Sequence, residues 1–275
     1  SSSHFSAPGI PVGAAATTWA VRDVMALMES WYPAATAQSW DRVGLIVGDP
    51  DAPVRSILLA LDPTAAIADQ AVAGPCSDGN SYDMVITHHP LLLRGASFLP
   101  VTDPKGRVVT ALIRSGIALF NAHTNADVAC DGVATALADL IGLRDTVPLE
   151  PCGTDAEGRE IGLGRVGSVA ETTLGAFADH VASVLPAGPS GLFVGGDEAA
   201  PVRRVAVLGG AGDSALESAR AAGVDVYLTA DLRHHPASEH LEGGAPALLC
   251  GSHWATESPW LPVLARKLRD AASAA

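Results

Sequence analysis

Short apolar runs that stop abruptly at polar residues, separated by helix-length segments, constrain this chain more than any other feature. Residues 56–61, 83–87 and 117–121 are β-branched and aliphatic over strand length, while 63–73 and 108–115 read as helices. Strands alternating with helices in this way predict an α/β fold with a largely parallel sheet, whose ligands gather beyond the carboxyl ends of the strands. His88-His89-Pro90 and Ala122-His123 follow two such ends directly.

The second half echoes the first. Val54-Arg55-Ser56-Ile57-Leu58-Leu59-Ala60 is matched by Val202-Arg203-Arg204-Val205-Ala206-Val207-Leu208, and Tyr82-Asp83-Met84-Val85-Ile86-Thr87 by Val224-Asp225-Val226-Tyr227-Leu228-Thr229. Either a βαβ unit is duplicated, giving two similar α/β lobes, or two ordinary βαβ units happen to look alike. The expected division is a tail over 1–18, a first lobe over 19–125 and a second over 126–257, with the helix 258–275 packing back on the first. A Pro/Gly-rich joint is expected near 148–165. The first helix is set by Val21, Val24, Met25, Leu27 and Met28, with Thr18 as N-cap and Pro33 as stop.

Charge narrows the partners. Of 275 residues, 17 are Lys or Arg and 30 are Asp or Glu, a net charge of -13. Such a surface repels phosphate backbones and anionic membranes, so nucleic acid and membrane are not expected partners. No apolar run is long enough to cross a bilayer, no export signal is visible, and the four scattered cysteines suit a reducing compartment, so a cytoplasmic location is expected.

Nine histidines in a Lys-poor, acidic chain direct attention to transition metals. His88-His89 at a strand end reads either as ligands for two neighbouring ions or as a buried or turn-capping pair. His123-Thr124-Asn125-Ala126-Asp127 reads as a loop before a helix capped by Asp131, carrying ligands or serving as an Asx scaffold. His253-Trp254-Ala255-Thr256-Glu257 precedes Ser258-Pro259, an N-cap pair for the last helix, so Glu257 is a ligand or a dipole-stabilising acid. Asp231-Leu232-Arg233-His234-His235 reads as surface or outer-layer polar residues, and His4, His180 and His240 carry no role. Gly209-Gly210-Ala211-Gly212-Asp213-Ser214 is an anion cradle or a tight turn.

Six motifs taken in order carry a family resemblance: Ser39-Trp40-Asp41-Arg42-Val43-Gly44-Leu45, Ile86-Thr87-His88-His89-Pro90, Asn121-Ala122-His123-Thr124-Asn125-Ala126-Asp127, Gly164-Arg165-Val166-Gly167, Leu228-Thr229-Ala230-Asp231 and Gly251-Ser252-His253-Trp254-Ala255-Thr256-Glu257. Together they resemble the NIF-three-like family, whose bacterial members are often labelled GTP cyclohydrolase one type two homologues. The resemblance implies a two-lobed α/β subunit, a homohexamer and a dinuclear metal site in the cleft between the lobes. Its ligands fall on His88, His89, Asp127, His253 and Glu257, and His123 takes an outer-layer or proton-shuttling, catalytic role. Two divalent ions among Fe, Mn, Zn, Co and Ni are implied, serving a metal-dependent hydrolase with a small-molecule substrate. The alternative is a metal-delivery or regulatory protein without turnover. Ala230 stands where the family usually has Gly, and the chain is too short for the domain that longer members insert.

Overall fold

The computed structural model describes residues 8–12 and 19–275. These divide into two compact units, one comprising the described residues through Ala126 together with Leu261–Ala275, the other Asp127–Trp260. The first contains β1 (Ile10–Val12), β2 (Trp19–Ala20), α1 (Val21–Trp31), β3 (Gly44–Val47), β4 (Pro53–Val54), β5 (Ile57–Ala60), α2 (Ala65–Ala73), β6 (Met84–Thr87), α3 (Pro104–Arg114) and β7 (Ala118–Asn121). A short helix, α4 (Thr124–Val128), spans the boundary. The second unit contains α5 (Val133–Ile141), β8 (Arg144–Thr154), β9 (Glu160–Thr173), α6 (Leu174–Val184), β10 (Phe193–Gly195), β11 (Pro201–Ala211), α7 (Leu216–Ala221), β12 (Val226–Ala230), α8 (His234–Glu242), β13 (Ala247–Gly251) and α9 (His253–Glu257). The last helix, α10 (Trp260–Ala274), lies in the first unit except for its first residue.

Each unit is built on three parallel strands. In the first, the five-stranded order is β1-β5-β6-β7-β3, with β5, β6 and β7 parallel and both edge strands antiparallel. In the second, the six-stranded order is β10-β13-β12-β11-β9-β8, with β11, β12 and β13 parallel. Both contain the predicted mixed α/β arrangement. Strands β5, β6 and β7 are buried at every position, which is why they lack the polar–apolar alternation of a one-sided sheet.

Packing explains the helices. In the first unit Leu58, Val85 and Leu119 pack with Ile67 and Ala71 of α2 and Val108 and Leu112 of α3. In the second, one sheet face packs Val207, Leu228 and Leu249 on Leu137 of α5 and Phe177 and Val181 of α6, and the other packs Ala206 and Tyr227 on Leu216 and Ala219 of α7. Helix α3 starts where Asp103 accepts the Lys105 and Gly106 N–H groups with Pro104 at its first position. Helix α5 stops at Gly142, whose φ of 86° suits a residue without Cβ.

Four details depart from expectation. Residues 10–12, placed in a tail, form the edge strand β1 on β5, while 1–7 and Thr18 lie outside the described residues. The N-terminal N–H of α1 is instead met by Asp23, which accepts from Ala20 N at 2.7 Å. Residues 148–165, read as a joint, belong to the β8–β9 hairpin: the prolines and glycines there punctuate two strands, with register shifts at 144/147 and 151/153. The final helix begins at Trp260, so Ser258 and Pro259 connect α9 to α10 rather than opening α10.

Leu58, fully buried in β5, is covered on both sides of its strand. Leu58→Ala is expected to cost on the order of 2–5 kcal/mol, read as a lower urea midpoint at an unchanged slope.

Candidate metal centre

Three histidines meet at the carboxyl end of the first parallel sheet. His88 and His89 leave β6, and His123 follows β7. The backbone bends after Thr87, whose hydroxyl donates to the His89 carbonyl at 2.8 Å, so the two adjacent rings do not take opposite faces. Their centroids lie 5.0 Å apart, and His123 lies 5.1 Å from His88 and 5.5 Å from His89. One ring nitrogen from each of the three falls within 4.8 Å of the others, close enough to share a metal ion.

The other ring nitrogen of each is committed. Nδ1 of His88, which is completely buried, lies 2.8 Å from the Ala122 carbonyl oxygen. Nδ1 of His89 lies 2.7 Å from Asp62 Oδ1, and Nδ1 of His123 lies 2.9 Å from Asp41 Oδ1. Carbonyl and carboxylate oxygens only accept, so each Nδ1 carries the proton and each Nε2 presents a lone pair. This is the orienting layer that metal-binding imidazoles require.

Asp41 ties the cluster to the fold. Besides His123, it accepts the Thr124 hydroxyl at 2.6 Å and the Thr124 N–H at 3.0 Å. Burial pushes its carboxyl up, but the hydrogen bonds from Thr124 and His123, with the His123 charge, outweigh that and hold it below the usual carboxylate range. The same bonds explain why residues 124–128 form α4 where a loop was expected: the free N–H groups of the helix are met from a segment 83 residues away. Asn125 adds a local turn by accepting the His123 N–H at 2.9 Å. The next helix, α5, starts after Gly132 rather than on Asp131.

In the second unit, His253 and Glu257 share a face of α9. Ser252 caps that helix by accepting Ala255 N–H at 3.0 Å. His253 Nε2 is 2.9 Å from Glu257 Oε2, and its Nδ1 is 2.6 Å from Asp231 Oδ2. Burial lowers the affinity of this imidazole for a proton, but the hydrogen bond and charge of Glu257, then those of Asp231, prevail and lift it to about 9. Glu257 is itself buried, at 4% exposure, and is the last residue of α9.

The glycine run after residue 208 makes room for this pair. A Cβ on Gly210, whose φ is +75°, would stand 2.3 Å from Glu257 Oε1 and 3.1 Å from His253 Nε2, and a Cβ on Gly209 would meet the Thr256 carbonyl at 2.7 Å. Gly210 N–H also donates to the Thr256 hydroxyl at 3.0 Å. Gly209 and Gly210 thus form a hollow shaped to α9, while the end of the run makes the expected tight turn, with Ala215 N–H donating to the Gly212 carbonyl at 3.2 Å.

A family model for DUF34/NIF3 (NGG1p interacting factor 3) matches residues 19–275. The chain belongs to the DUF34/NIF3 family. It is 47% identical over 249 residues to a protein of Streptomyces coelicolor named GTP cyclohydrolase 1 type 2 homolog, covering 90% of this chain and 85% of that one. A Mycobacterium leprae protein of the same name is 33% identical over 352 aligned positions, covering 90% and 89%; that alignment is longer than this chain, so the relative carries residues without a counterpart here. The fold is also that of a Bacillus cereus protein related to NIF3, with a TM-score of 0.82 at 24% identity over 93% of this chain and 94% of that one.

Of the residues marked from the DUF34/NIF3 motifs, His88, His89 and His123 gather in the first unit and His253 with Glu257 in the second, while Asp127 lies on α4 four positions after His123. His234 and His235 are exposed on α8, and His180 and His240 bond to the Ile141 and Pro246 carbonyls; His4 lies outside the described residues. Sequence reading missed the orienting roles of Asp41 and Asp62, although Asp41 stands in a quoted family motif and Asp62 directly follows a predicted strand. No helix among the described residues is long and apolar enough to cross a membrane, and all four cysteines are free thiols.

Two substitutions test this geometry. Gly210→Ala is expected to destabilise the fold by about 1–3 kcal/mol, the cost of a non-glycine residue at positive φ, and to displace Glu257, seen by denaturation and by crystallography. Asp41→Ala leaves donors unmet and is expected to cost on the order of 1–3 kcal/mol at neutral pH. Because the folded pKa lies below the unfolded one, the carboxylate stabilises above the unfolded value and loses this effect as pH falls through the folded value. The stability gap between wild type and Asp41→Ala therefore closes below about pH 4 in a pH series of unfolding curves.

Proposed function

We propose that this chain is a dinuclear metal-dependent hydrolase of a small molecule, with His88, His89, Asp127, His253 and Glu257 as the ligands. The observation that carries this reading is the convergence of imidazoles whose Nδ1 atoms are all held by fixed acceptors. The donor set agrees with it: neutral histidines with carboxylates and no cysteine suit Fe, Mn, Zn, Co or Ni rather than copper(I) or a structural zinc site. The hollow at Gly210 beside Glu257 is a second point of fit.

When bound, a pair of divalent ions supplies a Lewis acid and lowers the pKa of water at the site. The protein supplies orientation. Asp41, Asp62 and the Ala122 carbonyl fix the tautomers of His123, His89 and His88, Asp231 fixes the orientation of His253, and Glu257 and Asp127 each offer two carboxylate oxygens with which they would hold the ions. His123, anchored through Nδ1 on Asp41, keeps Nε2 available to carry a proton between water and a leaving group. The Streptomyces relative is named as a homologue of a GTP cyclohydrolase. The residues here support the broader class of small-molecule hydrolysis, and the net charge of -13 argues against a nucleic-acid polymer as substrate.

The test is elemental analysis by plasma mass spectrometry of untagged wild type, Glu257→Ala, His88→Ala and His123→Ala, followed by a hydrolase screen with the metal found. About two ions per subunit are expected, lost in the Glu257 and His88 variants; His123→Ala should retain metal and lose turnover. A wild type that refuses added metal overturns the ligand set. A fully loaded wild type that hydrolyses no nucleotide, cyclic amide or phosphoester, yet releases its ions to an acceptor protein, overturns the enzymatic part.

A further inference from the structure

Asp231 stands out from the other residues that hold a site histidine. It directly follows β12 and has a φ of 52°, one of two non-glycine residues described with positive φ. Left-handed backbone is unfavourable for a residue with a Cβ, and it persists where the surrounding structure imposes it. Here the following loop is clamped: Asp213 accepts the Arg233 N–H at 3.2 Å and pairs with Arg233 Nε at 2.5 Å. With Ala230 fixed in β12 and Arg233 fixed on Asp213, the turn presents the Asp231 carboxylate to His253 Nδ1 at 2.6 Å.

The need for this constraint follows from exposure. The Asp41 side chain is wholly shielded and held by Thr124 as well as His123. The Asp231 side chain is 50% exposed and the His253 side chain 35%, so water competes for both partners of that bond. A flexible carboxylate in such a place would leave Nδ1 without a fixed acceptor and release the imidazole to turn. A strained, clamped backbone does for Asp231 what burial does for Asp41.

We propose that Asp231 is a positioning residue whose left-handed backbone keeps its carboxylate on His253 Nδ1 and so fixes the orientation in which the ring offers Nε2, beside Glu257, to a metal ion. This rests on the reading of His253 as a ligand. It separates two quantities that a structural residue would move together: the conformation disfavours the residue present, while the side chain serves the metal. Glycine at 231 relieves the backbone and removes the acceptor; asparagine tolerates the backbone and retains a neutral acceptor.

The experiment titrates Co(II) into metal-free wild type, Asp231→Gly and Asp231→Asn, following the visible absorption bands of the ion and the thermal midpoint of each metal-free protein. Asp231→Gly should melt at or above the wild-type temperature and bind one of its two Co(II) ions about 10–100-fold more weakly, with altered bands. Asp231→Asn should fall between the two and keep bands close to wild type. Wild-type Co(II) affinity and spectrum in Asp231→Gly would overturn the proposal while leaving the metal centre standing, as would a lowered melting temperature in Asp231→Gly that Asp231→Asn does not share. A wild type that takes up no Co(II) would overturn the metal reading itself and this inference with it.

Discussion

An imidazole offers a metal only the nitrogen that its other nitrogen leaves unprotonated, and much of this structure serves that choice. His88, His89, His123 and His253 each have Nδ1 within 2.6–2.9 Å of an oxygen that can only accept. The acceptors are of three kinds: a backbone carbonyl fixed between parallel strands, carboxylates beside strand ends, and a carboxylate held by a strained turn. Each draws its rigidity from a different level of the fold. For His88, His89 and His123 the result is an Nε2 lone pair held in a fixed direction, while the Nε2 of His253 faces the Glu257 carboxylate.

The parallel strands make this possible. In the first unit Ala60, Thr87 and Asn121 lie side by side in register at the ends of β5, β6 and β7, so the residues two positions further on, Asp62, His89 and His123, leave the sheet at one level. The second unit repeats the device, with Ala230 beside Gly251 at the ends of β12 and β13 and Asp231 and His253 just beyond. Three short buried strands thus convert positions scattered through the sequence into neighbours, and fully apolar strands supply rigidity where the polar groups begin.

Strands, helices and the existence of two α/β halves were legible in the sequence because they rest on local patterning: apolar runs of strand length and caps such as Asp103-Pro104. The site histidines were legible because they stand at strand ends within family motifs. What was hidden depends on distant contacts. Helix α4 looked like a loop because the group that satisfies its first N–H, Asp41, lies before β3. Residues 148–165 looked like a linker because a long hairpin with bulges uses the same prolines and glycines as a joint. Gly209 and Gly210 looked like a turn or an anion cradle, since no local pattern reveals that a helix over forty residues later fills the space. Asp62 gave no local sign that it faces an imidazole, whereas Asp231 already read as a surface or outer-layer residue at the end of a family motif.

The short strand β1 carries a consequence of a different kind. Ile10–Val12 covers the open edge of β5, and Arg269 of α10 reaches the Pro11 carbonyl at 2.9 Å to hold it there. Beneath it Ile57-Leu58-Leu59-Ala60 is apolar at every position, the kind of edge that recruits strands from other molecules. The family match begins only at Trp19. The three residues that cover this apolar edge therefore lie outside the region that the family model matches, so family likeness alone would leave the edge of β5 open.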